Sequence, residues 1–357
     1  MNSLELLKKL TQTPGISGYE RKIGKIIDEE LKSTNSIRLS DKLGGISYKF
    51  EGKSEFPKIM FVGHQDEVGF IVANILSSGL LQMQNIGGWD PSTLKSSPVE
   101  VYNSHDECFQ GIIGSIPIHL QNKADNPKLS IASMFVDIGA KSKEEVENNY
   151  KIRIGDPIVP ISLFHHNNKS NTIISKAFDD RIGIAGIIEL GKYLDKNPNH
   201  PNTVFCTGSV QEEVGTRGAN TINAVVKPDI AIIIEGPPAD DFPGNDAKAQ
   251  TKLGQGLHLR LYDPTMIPKA ELKNFVVDLA EELALDYQCT VRKGGGTDAK
   301  VIHLANQGIP AIVIGVPVRY AHSHNGIISL DDYEQMMKLA IGICEKLDAE
   351  KAKDILR

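Results

Sequence analysis

Acidic residues and histidines follow five apolar segments of this chain, at the point where each segment ends. The segment KIMFV is followed by His64 and Asp66, and TIISKAF is followed by Asp179 and Asp180. The segments TVFCTGSV, DIAIII and AIVIGVPVRYA are followed by Glu212 and Glu213, by Glu235, and by His322 and His324. Imidazole and carboxylate groups are ligands of Zn²⁺, Co²⁺ and Mn²⁺. The residue types therefore predict a metal site.

A site with two metal ions needs a bridging carboxylate and two flanking pairs of ligands. Two imidazoles and three carboxylates supply that set, namely His64, Asp179, Glu213, Glu235 and His322. None of the motifs contains cysteine, which argues against a structural thiolate site. The sequence does not separate Asp179 from Asp180 as the bridge, and either aspartate would also fit the N-terminus of a helix.

Two further acids have spacings that suit supporting roles. Asp66 lies two residues after His64, so both side chains point to one face of an extended strand and Asp66 can orient the histidine. Glu212 and Glu213 are adjacent and point in different directions. One of them can bind metal while the other takes a proton from water as the water attacks a carbonyl group.

The segments that carry these residues alternate with amphipathic helices. Apolar residues recur at helical spacing in SLELLKKL, where Ser3 is a candidate cap, and in SGYERKIGKIIDEEL, where Ser17 and Glu20 have capping-box spacing. Helices are also predicted after Asp179, around residues 270–285 and after Ser329. Strands that are apolar throughout indicate a sheet covered by helices on both faces. Ligands bind at the carboxyl ends of such strands, so one site can gather all five segments.

The region of residues 70–165 has a different pattern. Short apolar stretches alternate there with Gly, Pro, Asn and Ser, and KSKEEVENNY is the one helix candidate. This pattern is typical of a small β barrel or sandwich. We therefore predict an α/β catalytic domain made of residues 1–69 and 166–357, interrupted by a β-rich domain of residues 70–165.

Composition excludes several other classes of protein. The chain has 357 residues, of which 40% are hydrophobic and 24% charged, and its net charge is -6. Its charges are dispersed, so no basic face predicts binding to nucleic acid or to an anionic membrane. No signal peptide is recognisable, and no apolar run approaches the ~18–20 residues of a membrane span. Four widely spaced cysteines predict packed or free thiols, so we expect a cytoplasmic protein.

The motifs also resemble those of a known family. GHQDEVG, AFDDRIG, QEEVGTRGA, GGGTDA and RYAHS occur in this order, together with IGGWDP, GIIGSIPIHL and DIGAKSKEE. They resemble the dinuclear metallo-aminopeptidases that form tetrahedral dodecamers: the TET, deblocking and glutamyl aminopeptidases, some of whose relatives are called endoglucanases. The resemblance implies an α/β catalytic domain interrupted by a β-rich dimerisation domain. It also implies a homo-oligomer built from dimers, with short peptides as substrates.

The resemblance assigns roles residue by residue. It implies that Asp179 bridges two divalent ions, Zn²⁺ or Co²⁺ with Mn²⁺ as a further candidate, and that a cis peptide bond follows it. His64 and Glu235 complete one ion, and Glu213 and His322 complete the other. The general base is then Glu212, and Asp66 supports His64. Two positions depart from the pattern: many relatives have Asp in place of Glu235, and often Pro in place of His324.

Other functions fit the residues less well. A glycoside hydrolase needs two carboxylates across a sugar ring and normally no catalytic metal, which leaves the histidines unexplained. Hydrolysis of another amide, such as an acyl-amino acid, would use the same metal ions. A catalytically silent assembly protein would be expected to lack a ligand or the base. In GGGTDA, Thr297 and Asp298 fit both a wall of the active site and a turn before a helix, and Trp89 is predicted to pack in a core or interface.

Overall fold

The protein is described by a computed structural model that covers residues 2–120 and 130–357. The strands, in chain order, are β1 (Ile37–Ser40), β2 (Ile46–Glu51), β3 (Lys58–His64), β4 (Gly69–Ile75), β5 (Leu81–Ile86), β6 (Pro98–Tyr102), β7 (Cys108–Ile113), β8 (Phe135–Asp137), β9 (Pro157–Pro160), β10 (His165–Asn167), β11 (Thr172–Ser175), β12 (Thr203–Ser209), β13 (Ile230–Glu235), β14 (Leu257–Tyr262), β15 (Tyr287–Val291), β16 (Ala311–Gly315) and β17 (Gly326–Ser329). The helices are α1 (Ser3–Gln12), α2 (Arg21–Leu31), α3 (Lys143–Asn148), α4 (Phe178–Lys196), α5 (Arg217–Val226), α6 (Ala270–Glu282), α7 (Ala299–Ile302), α8 (Leu330–Lys346) and α9 (Ala349–Leu356).

An eight-stranded mixed sheet forms the centre of the larger part of the molecule. Its strand order is β1-β2-β12-β3-β13-β16-β14-β15. The four adjacent strands β12, β3, β13 and β16 run parallel to one another. Their carboxyl ends therefore lie along one edge, and this edge holds the residues that follow four of the five apolar segments. The fifth segment, β11, belongs to a separate three-stranded sheet with β10 and β17.

Helices cover both faces of the central sheet, as the apolar strands predict. Alternate residues of β3 belong to different hydrophobic clusters: Ile59 and Phe61 pack with α1, α2, α4, α6, α8 and α9. Met60 and Val62 pack on the opposite face with α5 and α7. Burial on both faces explains why β3 has no polar alternation before it reaches His64. The predicted α/β fold class is confirmed.

Strands β4 to β9 form a closed barrel between the two segments that build the sheet. The barrel order is β4-β5-β8-β7-β6-β9, and each neighbouring pair is antiparallel. Its interior is a separate cluster of buried side chains that includes Phe70 and Val99. The only tryptophan of the chain, Trp89, packs on this cluster with its ring 4.9 Å from that of Phe70. The β-rich insertion and the packing role predicted for Trp89 are both confirmed.

Several local predictions differ from the structure. Helix α1 is capped by the side chain of Asn2, which accepts from Glu5, and not by Ser3. Helix α2 begins at Arg21 without a side-chain cap, because Ser17 and Glu20 bind elsewhere. The sequence did not predict β1 and β2 at one side of the sheet or β14 and β15 at the other. Polar residues interrupt these strands, so their apolar runs are short.

The four cysteines are free thiols, but only Cys206 and Cys344 are buried, whereas Cys108 and Cys289 are exposed. Packing was predicted for all four and holds for the buried pair. Within residues 2–120 and 130–357, no helix has the length and apolar character that a membrane crossing requires.

Candidate metal centre

The predicted ligands meet at the carboxyl edge of the central sheet. His64 is the last residue of β3, Glu235 is the last residue of β13, and Glu213 follows β12 by four residues. Asp179 stands at the start of α4, which packs on β3, and His322 lies in the loop after β16. Segments that are far apart in the chain thus deliver all five side chains to one place.

Asp179 lies between the two histidines, with one carboxylate oxygen directed at each. Its Oδ1 is 3.1 Å from Nε2 of His64, and its Oδ2 is 3.4 Å from Nε2 of His322. The peptide bond between Asp179 and Asp180 is cis, as the resemblance implied. This is the arrangement expected of a bridging carboxylate.

Each histidine also has a carboxylate of its own. Oε2 of Glu235 lies 3.9 Å from Nε2 of His64, and Oε1 of Glu213 lies 3.6 Å from Nε2 of His322. The site therefore consists of two groups of one imidazole and one carboxylate, which share Asp179. This division is the one that the resemblance implied for two metal ions.

The other ring nitrogen of each histidine faces a backbone carbonyl group. Nδ1 of His64 lies 3.0 Å from the carbonyl oxygen of Asp66, and Nδ1 of His322 lies 2.9 Å from that of Gly88. A carbonyl oxygen only accepts, so Nδ1 carries a hydrogen in both rings, which leaves Nε2 as the nitrogen that can bind a metal ion. This tautomer is the one that a metal ligand needs.

Asp180 is also buried in the site, but its oxygens have other partners. One oxygen accepts from the backbone N–H of His64 at 3.0 Å, and the other accepts from Gly183 at 2.8 Å. His64, Asp180 and Glu235 do form a group of metal-ligating type. The backbone bonds nevertheless occupy Asp180, whereas both oxygens of Asp179 face imidazoles.

The donor set fits divalent cations. Burial and the charge of Asp179 raise the pKa of Glu213 to about 7, and burial raises that of Glu235 well above its usual value. Burial opposes protonation of His322, but Asp179 and Glu213 outweigh it and raise its pKa to about 10. Oε1 of Glu213 is buried and has no hydrogen-bond partner in the described parts of the chain. Cations would compensate this concentrated negative charge.

The Asp66 carboxylate is fully buried and holds the loop after β12. Its Oδ1 accepts from the backbone N–H of Glu212 at 3.0 Å, and its Oδ2 accepts from that of Glu213 at 3.1 Å. Its Oδ1 is 3.5 Å from Nδ1 of His64, farther than its own carbonyl oxygen. Asp66 thus contacts His64, as predicted, but its carboxylate mainly fixes the two glutamates.

Glu67, the last acid of GHQDEVG, turns away from the metal ligands. Its carboxylate contacts Nζ of Lys176 at 2.5 Å and Nη2 of Arg181 at 3.2 Å, and all three side chains are buried. Arg181 also donates to the carbonyl oxygens of Leu10 and Gly15. This ion cluster ties the N-terminal segment to the start of α4, so the role of Glu67 is structural.

A cavity of about 560 Å³ is lined by four of the five ligands, Asp179, Glu213, Glu235 and His322. Glu212 lies on its wall, where burial and the charge of Asp298 raise its pKa well above the usual value although His64 opposes the shift. Thr297 lines the cavity, but Asp298 does not, because its carboxylate is hydrogen-bonded to Ser209. Thr297 therefore fits the predicted wall of the active site, whereas Asp298 fits the predicted position before a helix.

Part of the cavity lining, the basic wall, consists of Arg260, Arg292 and Lys300. Arg260 is paired with Asp263 at 3.3 Å, and Arg292 with Asp240 at 3.4 Å. Lys300 is exposed and has no ion-pair partner among the described residues. The sequence reading missed this wall, because the three cations come from β14, the end of β15 and α7 without a shared motif.

His324 does not join the ligands. Its ring packs against Trp89, with the ring centroids 5.4 Å apart, and it is almost fully buried. Sequence spacing left His322 and His324 both open, and the structure brings only His322 to the carboxylates. The sequence did not predict a role for Gly88, because within IGGWDP only the tryptophan has a side chain that suggests one.

Comparison with known proteins agrees with this geometry. The model of the M42 glutamyl aminopeptidase family matches residues 44–339. The chain is 36% identical to FrvX of Escherichia coli (strain K12), with 98% of this chain and 97% of FrvX covered. It is 32% identical to the glutamyl aminopeptidase of Lactococcus lactis (99% of each chain) and 31% identical to the lysyl aminopeptidase of Pyrococcus furiosus (96% and 97%).

Solved structures show the same fold over the whole chain. The TET aminopeptidase of a marine sediment Thaumarchaeota archaeon superposes with a TM-score of 0.95 at 39% identity, covering 99% of both chains. The TET1 peptidase of Pyrococcus horikoshii, which can assemble into a tetrahedron or a large octahedral shell, gives 0.85 at 30% identity (97% and 100%). A Thermotoga maritima protein named as an endoglucanase gives 0.78 at 27% identity (98% and 99%). The chain belongs to the M42 glutamyl aminopeptidase family.

Proposed function

We propose that this member of the family is a metal-dependent aminopeptidase that removes the first residue of short peptides. The observation that carries the proposal is the position of Asp179, whose two oxygens face Nε2 of His64 and of His322 at 3.1 and 3.4 Å. Two imidazoles on one carboxylate suit a pair of divalent ions and have no role in a two-carboxylate glycosidase.

In this proposal His64, Asp179 and Glu235 hold one ion, and Asp179, Glu213 and His322 hold the other. Zn²⁺ and Co²⁺ suit this mixture of imidazole and carboxylate, with Mn²⁺ as a further candidate. The ions supply Lewis acidity, which polarises the scissile carbonyl group and lowers the pKa of water toward about 7.

Glu212 acts as the general base. One carboxylate oxygen takes a proton from the attacking water and then delivers it to the nitrogen of the leaving peptide. The C–N bond then breaks and releases a neutral amine instead of an amide anion. Burial raises its pKa above the usual value, which helps it to keep the proton until the leaving nitrogen takes it. The carboxylates around Asp179 attract the free α-amino group of the substrate, which limits cleavage to the first residue.

The basic wall indicates which N-terminal residue of the substrate the enzyme prefers. Arg260, Arg292 and Lys300 line the same cavity as the acids, and of these three only Lys300 lacks an ion-pair partner in the described part of the chain. A substrate whose α-amino group lies near Asp179 would direct its first side chain into this cavity. We therefore propose an acidic first residue, glutamate or aspartate. The names of the relatives do not decide this point, because they include both a glutamyl and a lysyl aminopeptidase.

We further propose that residues 1–69 and 166–357 are the catalytic domain and that residues 70–165 are a dimerisation domain. The separate core of the barrel supports this division. Part of the insertion, residues 121–129, lies outside the described residues. By analogy with the shells of the TET1 peptidase, the dimers would assemble into a dodecamer that admits only short or unfolded peptides. The four free cysteines support a cytoplasmic location.

Hydrolysis of aminoacyl-p-nitroanilides by protein loaded with Zn²⁺, Co²⁺ or Mn²⁺ tests the proposal, with Glu212→Gln measured alongside. We expect metal-dependent release, fastest from the glutamyl or aspartyl substrate, and a loss of about 10²–10⁴-fold in kcat in the variant. N-acylated amino acids and a soluble β-glucan are offered in parallel. Cleavage of either one without release of nitroaniline would replace the proposal with the corresponding alternative.

A further inference from the structure

Three consecutive backbone N–H groups after β12 donate to buried carboxylates. Gln211 donates to Oε1 of Glu20 at 3.1 Å, and Glu212 and Glu213 donate to the two oxygens of Asp66 at 3.0 and 3.1 Å. N–H bonds to carboxylates are stronger than bonds between neutral groups. The loop that carries the proposed base and one proposed metal ligand is therefore fixed at three consecutive residues, Gln211, Glu212 and Glu213.

Glu20 reaches this loop from the connection between α1 and α2. Its side chain is only 5% exposed, and the same Oε1 also accepts from the backbone N–H of Gly18 at 2.8 Å. Ser17, from the same connection, donates to Oδ2 of Asp66 at 2.6 Å. Ser17 and Glu20, which have capping-box spacing, thus do not cap α2. They bind the loop after β12 instead, Glu20 directly and Ser17 through Asp66.

The loop needs such support because its conformation is unfavourable and its two glutamates point apart. Gln211 has φ of 55°, in the left-handed region that non-glycine residues rarely adopt. The carbonyl oxygen of Glu212 accepts from both Gly215 and Thr216, each at 2.8 Å. A small rotation of this turn would move Glu212 and Glu213 together, one out of the cavity and the other away from His322.

We propose that Glu20, assisted by Ser17, is a positioning residue that sets the orientation of Glu212 and Glu213. The inference rests on the proposed function, which names these two glutamates as base and ligand. Glu20 touches neither the substrate cavity nor the metal ligands themselves, so it acts only through the backbone of the loop. Groups that hold the residues around a reacting site often matter almost as much as those residues.

The test compares Glu20→Ala with Glu20→Gln and with Glu29→Ala. Glu29 is an exposed glutamate of α2 whose one ion pair within residues 2–120 and 130–357 is with Lys9. Because small misplacements of catalytic groups are costly, Glu20→Ala should lower kcat by about 10–100-fold while KM changes by less than about threefold. Glu20→Gln keeps an oxygen that accepts both N–H bonds and should retain at least roughly a third of kcat. Glu29→Ala should match the wild type.

Amide hydrogen exchange over residues 210–216 supplies a readout that does not depend on activity. Loss of the carboxylate should speed exchange there by about tenfold or more in Glu20→Ala, and leave it unchanged in Glu29→Ala. Faster exchange with unchanged kcat, or unchanged exchange, would overturn the inference. If the wild type cleaves no aminoacyl substrate, the proposed function fails separately while exchange still reports the contact.

Should Glu20→Ala not fold, as judged by its thermal transition, Ser17→Ala provides the second variant. It removes one bond to Asp66 and should lower kcat about two- to tenfold and speed exchange over residues 210–216. Wild-type values of both quantities in Ser17→Ala, with no folded Glu20→Ala, would assign the connection a purely structural role and overturn the inference.

Discussion

Nδ1 of His322 lies 2.9 Å from the carbonyl oxygen of Gly88, so the inserted barrel contacts a proposed metal ligand of the α/β domain. Gly88 follows β5, and a Cβ atom at this position would lie 3.2 Å from Nδ1. The barrel therefore orients one imidazole of the site in addition to any role in assembly.

The first prediction concerns this contact. Gly88→Ala should displace His322 and weaken binding of its ion by roughly tenfold, because partners that orient a ligand typically affect metal affinity by that amount. Competition with a chromophoric chelator measures the affinity. Gly294→Ala is the matched control, since Gly294 also lines the cavity but a Cβ there meets nothing within 4 Å. Equal affinities in the two variants would contradict the orienting role of Gly88.

The second prediction separates the two histidines of the AHSHN segment. His322→Ala should reduce the metal content from a pair of ions to a single ion per chain, because His322 faces both Asp179 and Glu213. His324→Ala should keep both ions and lose some stability instead, since its ring packs on Trp89. Elemental analysis after dialysis gives the metal content. Loss of an ion in His324→Ala alone would transfer the ligand role to that residue.

The third prediction concerns the basic wall. Lys300→Glu should lower kcat/KM for glutamyl-p-nitroanilide by about tenfold relative to the leucyl substrate, because it places a like charge near an acidic side chain. The difference should shrink as salt is added. Lys293→Glu makes the same change of charge on a neighbouring exposed residue that does not line the cavity. Equal effects of the two variants would contradict a role of Lys300 in the preference for an acidic first residue.

The fourth prediction is a pH dependence of stability. His258 is fully buried, and burial, together with the charges of Arg260 and Arg292, lowers its pKa well below its usual value. Its Nε2 faces Thr290 at 2.6 Å. The unfolded chain takes up a proton at this residue below about pH 6.5, whereas the folded chain does not. The stability is therefore complete above that pH and declines as the pH falls.

Between pH 7.5 and 5.5 this one group should cost the wild type about 1 kcal/mol of unfolding free energy. In His258→Gln that part of the loss should vanish, so its denaturation midpoint should depend less steeply on pH. Denaturant titrations at the two pH values measure the difference, and comparison of the two proteins cancels the contribution of the metal-site acids. Parallel pH dependences would show that His258 is not neutral in the folded protein.

Much of the fold follows from features that the sequence records locally. The apolar strands β3, β12, β13 and β16 are buried on both faces, and burial on both faces leaves a continuous apolar run. Polar residues interrupt β14 and the edge strand β15, which leave no such run, although they carry Arg260 and lead to Arg292. The sequence therefore predicted the acidic side of the cavity and missed the basic one.

The sequence by itself determined which residue types follow the central strands. Parallel strands end at the same edge of a sheet, so these residues can be expected to lie together there. Spacing alone did not separate Asp179 from Asp180 or His322 from His324, and the resemblance favoured the first of each pair. The tertiary structure shows what lies opposite them: the oxygens of Asp179 face His64 and His322, whereas His324 packs on Trp89. It alone brought Glu20 beneath Gln211, residues separated by 191 positions, and Gly88 beside His322. Such contacts depend on how distant segments pack, and no local periodicity or spacing records that packing.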